Sequence, residues 1–314
     1  MKSLRYWVVL ALLLGGLGAC TPSPLPPTVV PPTEPQETPV PQTDVPTPTP
    51  TAEPLAARVN GEPITLVTYQ RALSWYETSL AAGGQDPSSD EGQLVMAEAR
   101  VHILEGLIEQ TLIIQAATEA GIVVSDDEVT ANIQGVVQQI GQATFDQRLA
   151  SEGLSLEEVR YQIWRSLMIG KIIDQVTQTV PARAEHVRAR HIQLSTEAEA
   201  QQVITQLQAG ADFGALARAY SQDRFTREEG GDLGYFSRGI LTAPEVEAVA
   251  FALEPGQIST SIPSQLGYHI IQVVERTPEM DISPDNMRLL QDAAREDWVA
   301  GLWGQAQIER FITP

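Results

Sequence analysis

The uneven distribution of proline constrains the fold of this chain most. Of its 314 residues 22 are proline, and 13 of these lie in residues 21–54, together with eight threonines. A segment of this composition buries too little apolar surface to form a core, and proline favours the extended polyproline II conformation. The sequence therefore predicts a disordered linker over residues 21–54 and a folded body after it.

The residues before the linker are typical of an export signal. A positively charged start is followed by an apolar run over residues 6–17. A membrane-spanning helix needs about 20 apolar residues, so this run is too short to span and favours a secretory signal peptide. Residues 17–20, at the end of this segment, are Leu-Gly-Ala-Cys, and Cys20 is the one cysteine of the chain. These four residues resemble the bacterial lipobox.

The lipobox resemblance implies a lipid anchor. Residues 1–20 would be a lipoprotein signal peptide, and Cys20 would be the acylated first residue of the mature protein, held at the extracytoplasmic face of the cell membrane. The linker would tether the anchor to the folded body. Two alternatives stay open: an ordinary signal peptide with a chance cysteine, and a linker that serves as a proline-rich ligand for a recognition module.

The charge balance and the cysteine count exclude several classes of protein. Lys and Arg total 20 against 40 Asp and Glu, so the formal net charge is −20, which disfavours binding to nucleic acid or to an anionic lipid surface. One cysteine cannot form an internal disulfide framework or a multi-cysteine metal site. The four histidines have no further ligands at metal-binding spacing, and the sequence has no phosphate loop or dinucleotide fingerprint. We therefore expect neither a metal nor a cofactor.

The first part of the body has helical periodicity and helix-capping signals. The elements expected there are a short strand and turn at 59–64, helices at 66–81 and 91–120, and helices that start after Ser125 and Ser155. Pro181 closes this region, so the sequence predicts a helical domain over residues 55–184.

From residue 188 the pattern becomes mixed. Residues that favour strands predict a small sheet, and capping residues mark helices between the strands. The expected elements are strands at 190–194, 233–236 and 268–275, and helices at 196–209, at 212–220 and from Thr242 to about Leu253. A last helix begins at Ser283 and is predicted to reach about Phe311. Its apolar stripe consists of Met287, Leu290, Ala294, Trp298 and Leu302.

Six short motifs between residues 185 and 277 follow one another in a distinctive order. They are Arg190-His191-Ile192, Tyr220-Ser221-Gln222-Asp223, the run from Gly230 to Gly239, Ala250-Phe251-Ala252-Leu253, Pro255-Gly256-Gln257-Ile258-Ser259, and Gly267-Tyr268-His269-Ile270-Ile271. In order and spacing these motifs resemble a parvulin-type peptidyl-prolyl isomerase domain over residues 185–277. The resemblance implies a small antiparallel sheet wrapped by helices, with a proline pocket on one face.

Residues 55–180 are similar to the helical N-terminal region of the SurA and PrsA foldases, most of all over residues 108–129. In that family the final helix returns to complete the N-terminal domain, which implies that residues 278–314 pack there. A free-standing amphipathic helix is the alternative. The expected fold class is α+β, with a parvulin domain inserted in an all-helical SurA/PrsA-like chaperone domain.

The resemblance also implies the site. His191 and His269 would face each other across central strands, with Asp223 and Ser264 completing a polar floor. The proline pocket would be lined by Leu233, Phe236, Leu241 and Val246. The last of these departs from the phenylalanine common in the family, which would widen or weaken the pocket. From spacing alone, the two histidines suit a pair of core side chains with satisfied hydrogen bonds.

These features predict an extracytoplasmic foldase that catalyses cis/trans isomerisation of X-Pro bonds. Amide resonance sets a barrier of about 18–20 kcal/mol, and an apolar pocket over a polar floor can favour the twisted amide without a nucleophile. Its partners would be unfolded or partly folded exported polypeptides. The alternative is a non-enzymatic holdase chaperone with an inactive parvulin domain. A transport-linked solute-binding lipoprotein would need repeated strand–helix units in two lobes, and the sequence does not have that pattern.

Overall fold

A computed structural model describes residues 53–313 of the chain. The predicted signal peptide, Cys20 and nearly all of the predicted linker lie outside these residues. The contacts divide the chain into two compact units. Unit 1 runs to Ile169 and resumes at Gln305, and unit 2 is Gly170–Gly304. None of the helices among the described residues is long and apolar enough to cross a membrane.

Unit 1 consists of helices and a small sheet. Its elements are β1 (Leu55–Val59), β2 (Glu62–Thr65), α1 (Leu66–Ala82), α2 (Asp90–Glu119), α3 (Asp126–Ile140), α4 (Gln142–Glu152), the first part of α5 (Leu156–Thr177), and β7 (Ile308–Arg310). The helix α2 buries Leu104, Ile108 and Leu112, which are spaced by four residues and so share one face.

Polar side chains fix the starts of α3 and α5, as the sequence predicts. The hydroxyl of Ser125 accepts the amide of Glu128, and the Glu128 carboxylate accepts the amide of Ser125, so these two amides at the α3 start are satisfied. The same exchange between Ser155 and Glu158 precedes α5. The separate helix α4 is not predicted from the sequence; it follows Gly141, whose φ of 85° breaks α3 from α4.

The N-terminal unit is not all helical, which corrects the expectation of an all-helical domain. Its three strands form an antiparallel sheet in the order β2-β1-β7. The last helix ends at Gln305 and does not reach Phe311, because the chain turns there and pairs β7 with β1. The Asn60 amide donates to the Gln307 carbonyl at 2.8 Å, and the Asn60 side chain accepts the Gln307 amide at 2.8 Å.

Unit 2 is a four-stranded antiparallel sheet with helices against it, in the strand order β4-β3-β6-β5. Its elements are β3 (Arg183–Leu194), α6 (Glu197–Gln208), α7 (Phe213–Tyr220), β4 (Asp232–Phe236), α8 (Pro244–Ala252), β5 (Ile262–Ser264), β6 (Gly267–Asp281) and α9 (Pro284–Gln305). The strands β3 and β6 are longer than predicted. The register of β3 against β6 shifts near Ala184 and near Arg188. These shifts interrupt the alternation of side chains between the two faces, so the two-residue period is visible only in part of each strand.

Two apolar clusters cover the two faces of this sheet. One contains Ile192 and Ile270 with residues of α6 and α7. The other contains Val187, Ile271 and Phe236 with residues of α8. The helix α8 begins at Pro244, and its N-cap residue is Ala243 without a side-chain cap, so the predicted cap at Thr242 is wrong. Proline serves at the first helical position because it lacks an amide hydrogen there.

The last helix belongs to unit 2 up to Gly304. Leu290 of its predicted stripe packs against Gly239, since a Cβ added to that glycine would lie 2.8 Å from Leu290 Cδ2. Leu290 and Ile282 also line a cavity of about 360 Å³ within this unit. The expected packing of the remaining stripe on the N-terminal helices stays a prediction.

Candidate active site

The two predicted site histidines lie on the two central strands of unit 2. His191 is on β3 and His269 is on β6, and these strands are hydrogen-bonded neighbours. Their rings stack with centroids 5.7 Å apart and an angle of 21° between the ring planes. Both side chains are buried. The antiparallel pairing therefore brings together two residues that are far apart in the sequence.

Asp223 lies beside His191 and forms the first half of a polar network. The distance from His191 Nε2 to Asp223 Oδ2 is 2.8 Å, and a carboxylate can only accept, so the imidazole donates. The Thr226 hydroxyl donates to the same oxygen at 2.5 Å and lies 3.1 Å from His191 Nε2. The Phe225 amide donates to the second carboxylate oxygen at 3.0 Å. These contacts fix the Asp223 carboxylate against the ring of His191.

Ser264 lies beside His269 and forms the second half. It ends β5, and its hydroxyl is 2.8 Å from His269 Nε2. The same hydroxyl accepts the amide of Leu266 at 3.0 Å and lies 3.3 Å from the carbonyl of Gly267. His269 Nδ1 is buried and has no hydrogen-bond partner among residues 53–313. The four predicted floor residues thus form one continuous group: Asp223, His191, His269 and Ser264.

The loop that follows Asp223 closes against His191. The His191 amide donates to the carbonyl of Gly231 at 2.8 Å. Gly231 has a φ of 83°, and a Cβ added to it would lie 2.1 Å from the carbonyl oxygen of His191. Only glycine fits this close approach of two backbone segments. Gly231, the second glycine of the Gly230-Gly231 pair, therefore positions the loop that carries Asp223 and Thr226.

Burial and hydrogen bonding set the charges in the floor. Burial lowers the pKa of His269 to about 4, and His191 adds to this, while Asp223 and Glu245 act in the opposite direction. Burial by itself would raise the pKa of Asp223, but hydrogen bonds from Thr226, His191 and the Phe225 amide outweigh it and lower that pKa. At neutral pH the floor therefore holds an ionised carboxylate and a neutral His269. Within residues 53–313, no group of three or more His, Cys, Asp or Glu side chains could hold a metal ion.

The predicted pocket residues belong to one apolar cluster. Phe236 and Val246 are buried in it, and Leu233 and Leu241 pack against it half-buried. Phe236 contacts Phe251 edge to face, with ring centroids 5.9 Å apart. Side chains alternate along a strand, so His191 shares its sheet face with Ala189, and His269 shares its face with Ile271, both of which lie in this cluster. The polar floor and the apolar cluster therefore occupy the same face of the sheet.

Sequence reasoning missed three polar residues of the site. Thr226 follows Asp223 by three residues, a spacing that suits a local side-chain hydrogen bond and could have indicated it. The buried hydroxyl of Ser221 accepts the amides of Gln193 and Asp223. Glu247 of α8 holds a loop through three consecutive backbone amides, and no sequence signal indicates that contact. They are the amides of Gly239 at 2.8 Å, Ile240 at 3.0 Å and Leu241 at 3.1 Å.

Comparison with known proteins defines the class of this chain. Residues 184–275 match the PPIC-type PPIase domain family, also called rotamase. Residues 43–173 match the SurA-like N-terminal domain family. The class is a parvulin-type peptidyl-prolyl cis-trans isomerase combined with a SurA-like N-terminal region.

The relatives identify the family. Foldase protein PrsA of Caldanaerobacter subterraneus subsp. tengcongensis is 31% identical over 240 residues, which is 69% of this chain and 72% of that protein. Foldase protein PrsA 2 of Bacillus anthracis is 38% identical over 165 residues, which is 51% of this chain and 56% of that protein. The chain belongs to the PrsA foldase family. A crystal structure of the PrsA peptidylprolyl isomerase from Bacillus anthracis covers 63% of this chain and 89% of its own, at 32% identity and a TM-score of 0.41.

The family match confirms the predicted isomerase class, the foldase function and the mixed α+β fold with a parvulin domain and a SurA-like N-terminal domain. Nothing among these relatives favours the alternative of an inactive holdase. The roles of the individual site residues and the domain boundaries stay predictions.

Proposed function

We propose that this foldase isomerises X-Pro bonds in unfolded or partly folded exported polypeptides at the face shared by the floor and the apolar cluster. The proline ring would enter the pocket lined by Leu233, Phe236, Leu241 and Val246. The preceding amide would lie over His191, His269, Asp223 and Ser264. The observation that carries this proposal is that both groups share one face of a single sheet.

The apolar cluster suits the proline ring for a physical reason. A twisted amide has lost its resonance and much of its polarity, so removal of water favours it over the planar ground state. Burial of the ring against Phe236 and Leu241 would hold the amide nitrogen in that environment. Val246 is smaller than the phenylalanine common in the family, and Phe251 packs in the same apolar cluster in edge contact with Phe236.

The protonation states support an electrostatic role for the floor. The depressed pKa of Asp223 keeps that carboxylate ionised, and His191 donates to it. His269 is neutral at pH 7, since its pKa is about 4. A neutral His269 in contact with the Ser264 hydroxyl gives fixed dipoles that need no rearrangement while the amide twists. We therefore propose that the histidines organise the floor and transfer no proton.

A protease-coupled cis/trans assay on the full mature chain tests this function. Catalysis should persist in EDTA, and Ser264→Ala and His269→Ala should each lower kcat/KM about tenfold or more. Ser151→Ala removes an exposed hydroxyl in unit 1 and is the matched control, with no effect on the rate. Thermal melts of every variant separate lost catalysis from lost folding. A folded wild-type protein without catalysis on a panel of X-Pro peptides would refute the proposal.

We also propose that the mature protein is anchored to the membrane through acylated Cys20. Support comes from the sequence, because this cysteine lies outside the described residues. Cys20→Ser should release the protein from membranes or leave an unprocessed precursor. Unchanged membrane extraction and an unchanged mature mass in that variant would contradict the anchor.

We further propose that the domains are divided at residues 54/55, 184/185 and 277/278, with residues 278–314 completing the N-terminal domain. The pairing of β7 with β1 supports a return of the chain to that domain. If the stripe of the last helix also docks there, deletion of residues 282–314 should abolish suppression of client aggregation. Retention of both the helical melting transition and the holdase activity would refute that docking.

A further inference from the structure

Phe225 has an unusual position for an exposed aromatic side chain. It is 93% exposed, the largest exposed fraction among the large hydrophobic side chains that the structure describes. Single exposed hydrophobic residues are common on protein surfaces and need no explanation by themselves. Phe225, however, lies two residues after Asp223 and one residue before Thr226, which both contact His191. It is therefore part of the loop that builds the floor.

The backbone around Phe225 is held in place on both sides. Its own amide donates to Asp223 Oδ1 at 3.0 Å. The Arg227 amide donates to the Asp223 carbonyl at 3.0 Å, and the Gly231 amide donates to the Thr226 carbonyl at 2.8 Å. The aromatic ring thus projects into water from an ordered loop whose neighbours on either side are bonded to the floor.

A second exposed apolar side chain lies at the other end of the floor. Leu266 is 52% exposed, and its amide donates to the Ser264 hydroxyl at 3.0 Å. Its carbonyl accepts from Gln193 Nε2 at 2.6 Å. Each of the two segments that carry an end residue of the floor therefore presents an apolar side chain to solvent. Exposed aromatic and aliphatic side chains beside a polar site are suited to contact apolar groups of a ligand.

The charges around Phe225 do not favour a charged substrate residue. The four charged residues that follow Asp223 in this loop have formal charges that cancel, Arg224 and Arg227 against Glu228 and Glu229. The Asp223 carboxylate itself accepts from His191, Thr226 and the Phe225 amide. Arg227 and Glu228 are also paired with each other at 3.0 Å. An apolar contact is consequently the main interaction that this loop offers to a residue beside the proline.

We infer that Phe225 is a specificity-determining residue that contacts the residue preceding proline and favours X-Pro bonds with a large apolar X. The inference rests on the proposed function, since it places the proline in the pocket beside the floor. The preferred substrates are then prolines within the apolar segments that an unfolded polypeptide exposes. A folded protein buries such segments, so this preference directs the enzyme to unfolded chains.

Matched tetrapeptides that differ only at X test the inference. The full mature chain is assayed with X as alanine, leucine, phenylalanine, glutamate and lysine. We expect kcat/KM for leucine and phenylalanine to exceed that for alanine about fivefold, less than the 10–200-fold of an enclosed pocket because this contact is open to water. Phe225→Ser should reduce the ratio to below about twofold, mainly through a lower kcat/KM for the leucine and phenylalanine peptides, and Phe225→Leu should restore the ratio in part.

Leu94→Ser is the control, because it removes an apolar side chain that is 71% exposed in unit 1. It should leave every ratio unchanged. Equal ratios in wild type and Phe225→Ser would overturn the inference, and so would a preference for glutamate that Arg224→Ser removes. Binding of the same peptides, followed by the fluorescence of a label on each peptide, separates the two proposals. If the wild type binds the peptides but does not catalyse their isomerisation, the proposed function fails. In that case, a loss of the difference in affinity between the leucine and alanine peptides in Phe225→Ser still supports the role of Phe225.

Discussion

Units 1 and 2 differ in how far along the sequence their decisive contacts reach. In unit 1 each helix from α1 to α3 begins at a polar side chain that bonds an amide three residues later. In unit 2 the site depends on β3 and β6, which pair residues 78 positions apart when Ile192 meets Ile270. Local signals therefore specify the helices of unit 1, whereas the site of unit 2 exists only after distant strands have paired.

Each unit has one exception to this distinction between local and long-range contacts. Unit 1 is closed by β7, so one of its edges depends on the far end of the chain. Unit 2 contains the local group formed by Asp223, Phe225 and Thr226, which needs only a short loop. Substitutions that act on long-range contacts should therefore have larger effects than those that act on local ones.

The largest effect is expected for Gly231→Ala. The new Cβ would lie 2.1 Å from the His191 carbonyl oxygen on a backbone with a φ of 83°. We expect a loss of roughly 3–5 kcal/mol in the free energy of unfolding of unit 2, measured by denaturant titration, together with loss of isomerase activity. Gly210→Ala is the control, because Gly210 has a φ of 91° with no heavy atom within 4 Å, and it should cost only about 1 kcal/mol. Equal costs in the two variants would show that the approach to His191 is unimportant.

Deletion of residues 306–314 should have the next largest effect. It removes β7, and with it the two ion-pair hydrogen bonds from Arg310 to Glu105 at 2.9 and 2.8 Å. We expect unit 1 to lose roughly 2–4 kcal/mol, because several backbone hydrogen bonds at about 1 kcal/mol each are lost as well. Hydrogen exchange in α2 measures the change. Deletion of residues 312–314 alone keeps β7 and should leave the exchange unaltered, and protection of α2 in the longer deletion would contradict the role of β7.

Acid should weaken unit 2 through His269. Its pKa is about 4 in the folded protein and about 6.5 in the unfolded chain, so only the unfolded chain takes up the proton between these values. The stabilisation of unit 2 that comes from the neutral His269 is complete above about pH 6.5 and is lost as the pH falls towards 4. After allowance for solvent screening we expect a loss of about 2 kcal/mol, read from hydrogen exchange in β3 and β6.

A His269→Gln variant should lose less stability over this pH range, while His102→Gln, at an exposed position in unit 1, should behave like the wild type. The lowered pKa of Asp223 acts in the same direction at lower pH, since its stabilising contacts disappear when the carboxylate is protonated. A wild-type stability that is constant from pH 7 to pH 4 would contradict the assignment of a neutral, buried His269.

The smallest effect is expected for Glu247→Gln. An amide side chain retains only one acceptor oxygen for the three amides of Gly239, Ile240 and Leu241. The loop that carries Leu241 should loosen, which costs about 1 kcal/mol and raises KM a few-fold while kcat changes little. Glu254→Gln, at an exposed position after the same helix, is the control. An effect on kcat alone would argue against a positioning role for Glu247.

Much of the fold could be predicted because its signals are local. Capping boxes at Ser125, Ser155 and Thr196 mark helix starts that the structure confirms. The strand β7 could not be predicted, because three residues with weak β pattern gain their conformation only by pairing with β1. The cap at Thr242 was predicted from residue type, but Pro244 and Ala243 determine where α8 begins.

The site also has features that the sequence indicates and features that only the folded structure reveals. The motifs contain His191, His269 and Asp223, and the family resemblance implies Ser264 as the fourth residue; the structure brings these four together. Spacing alone could not reveal that the two histidines stack, because that contact requires the register of β3 against β6. Glu247 was missed because its partners are backbone amides, which carry no sequence signal.

The most direct test of the central claim is the rate of X-Pro exchange by the full mature chain carrying Asp223→Asn. The substitution removes the charge that accepts from His191, Thr226 and the Phe225 amide, while the size of the side chain is kept. We predict a fall in kcat/KM of about tenfold or more, measured at a temperature where thermal melts show the variant to be folded, because loss of the charge also lowers the melting temperature. Glu228→Gln, an exposed residue of the same loop, should retain the full rate. An unchanged rate in folded Asp223→Asn would contradict the claim that this polar floor supports the isomerisation.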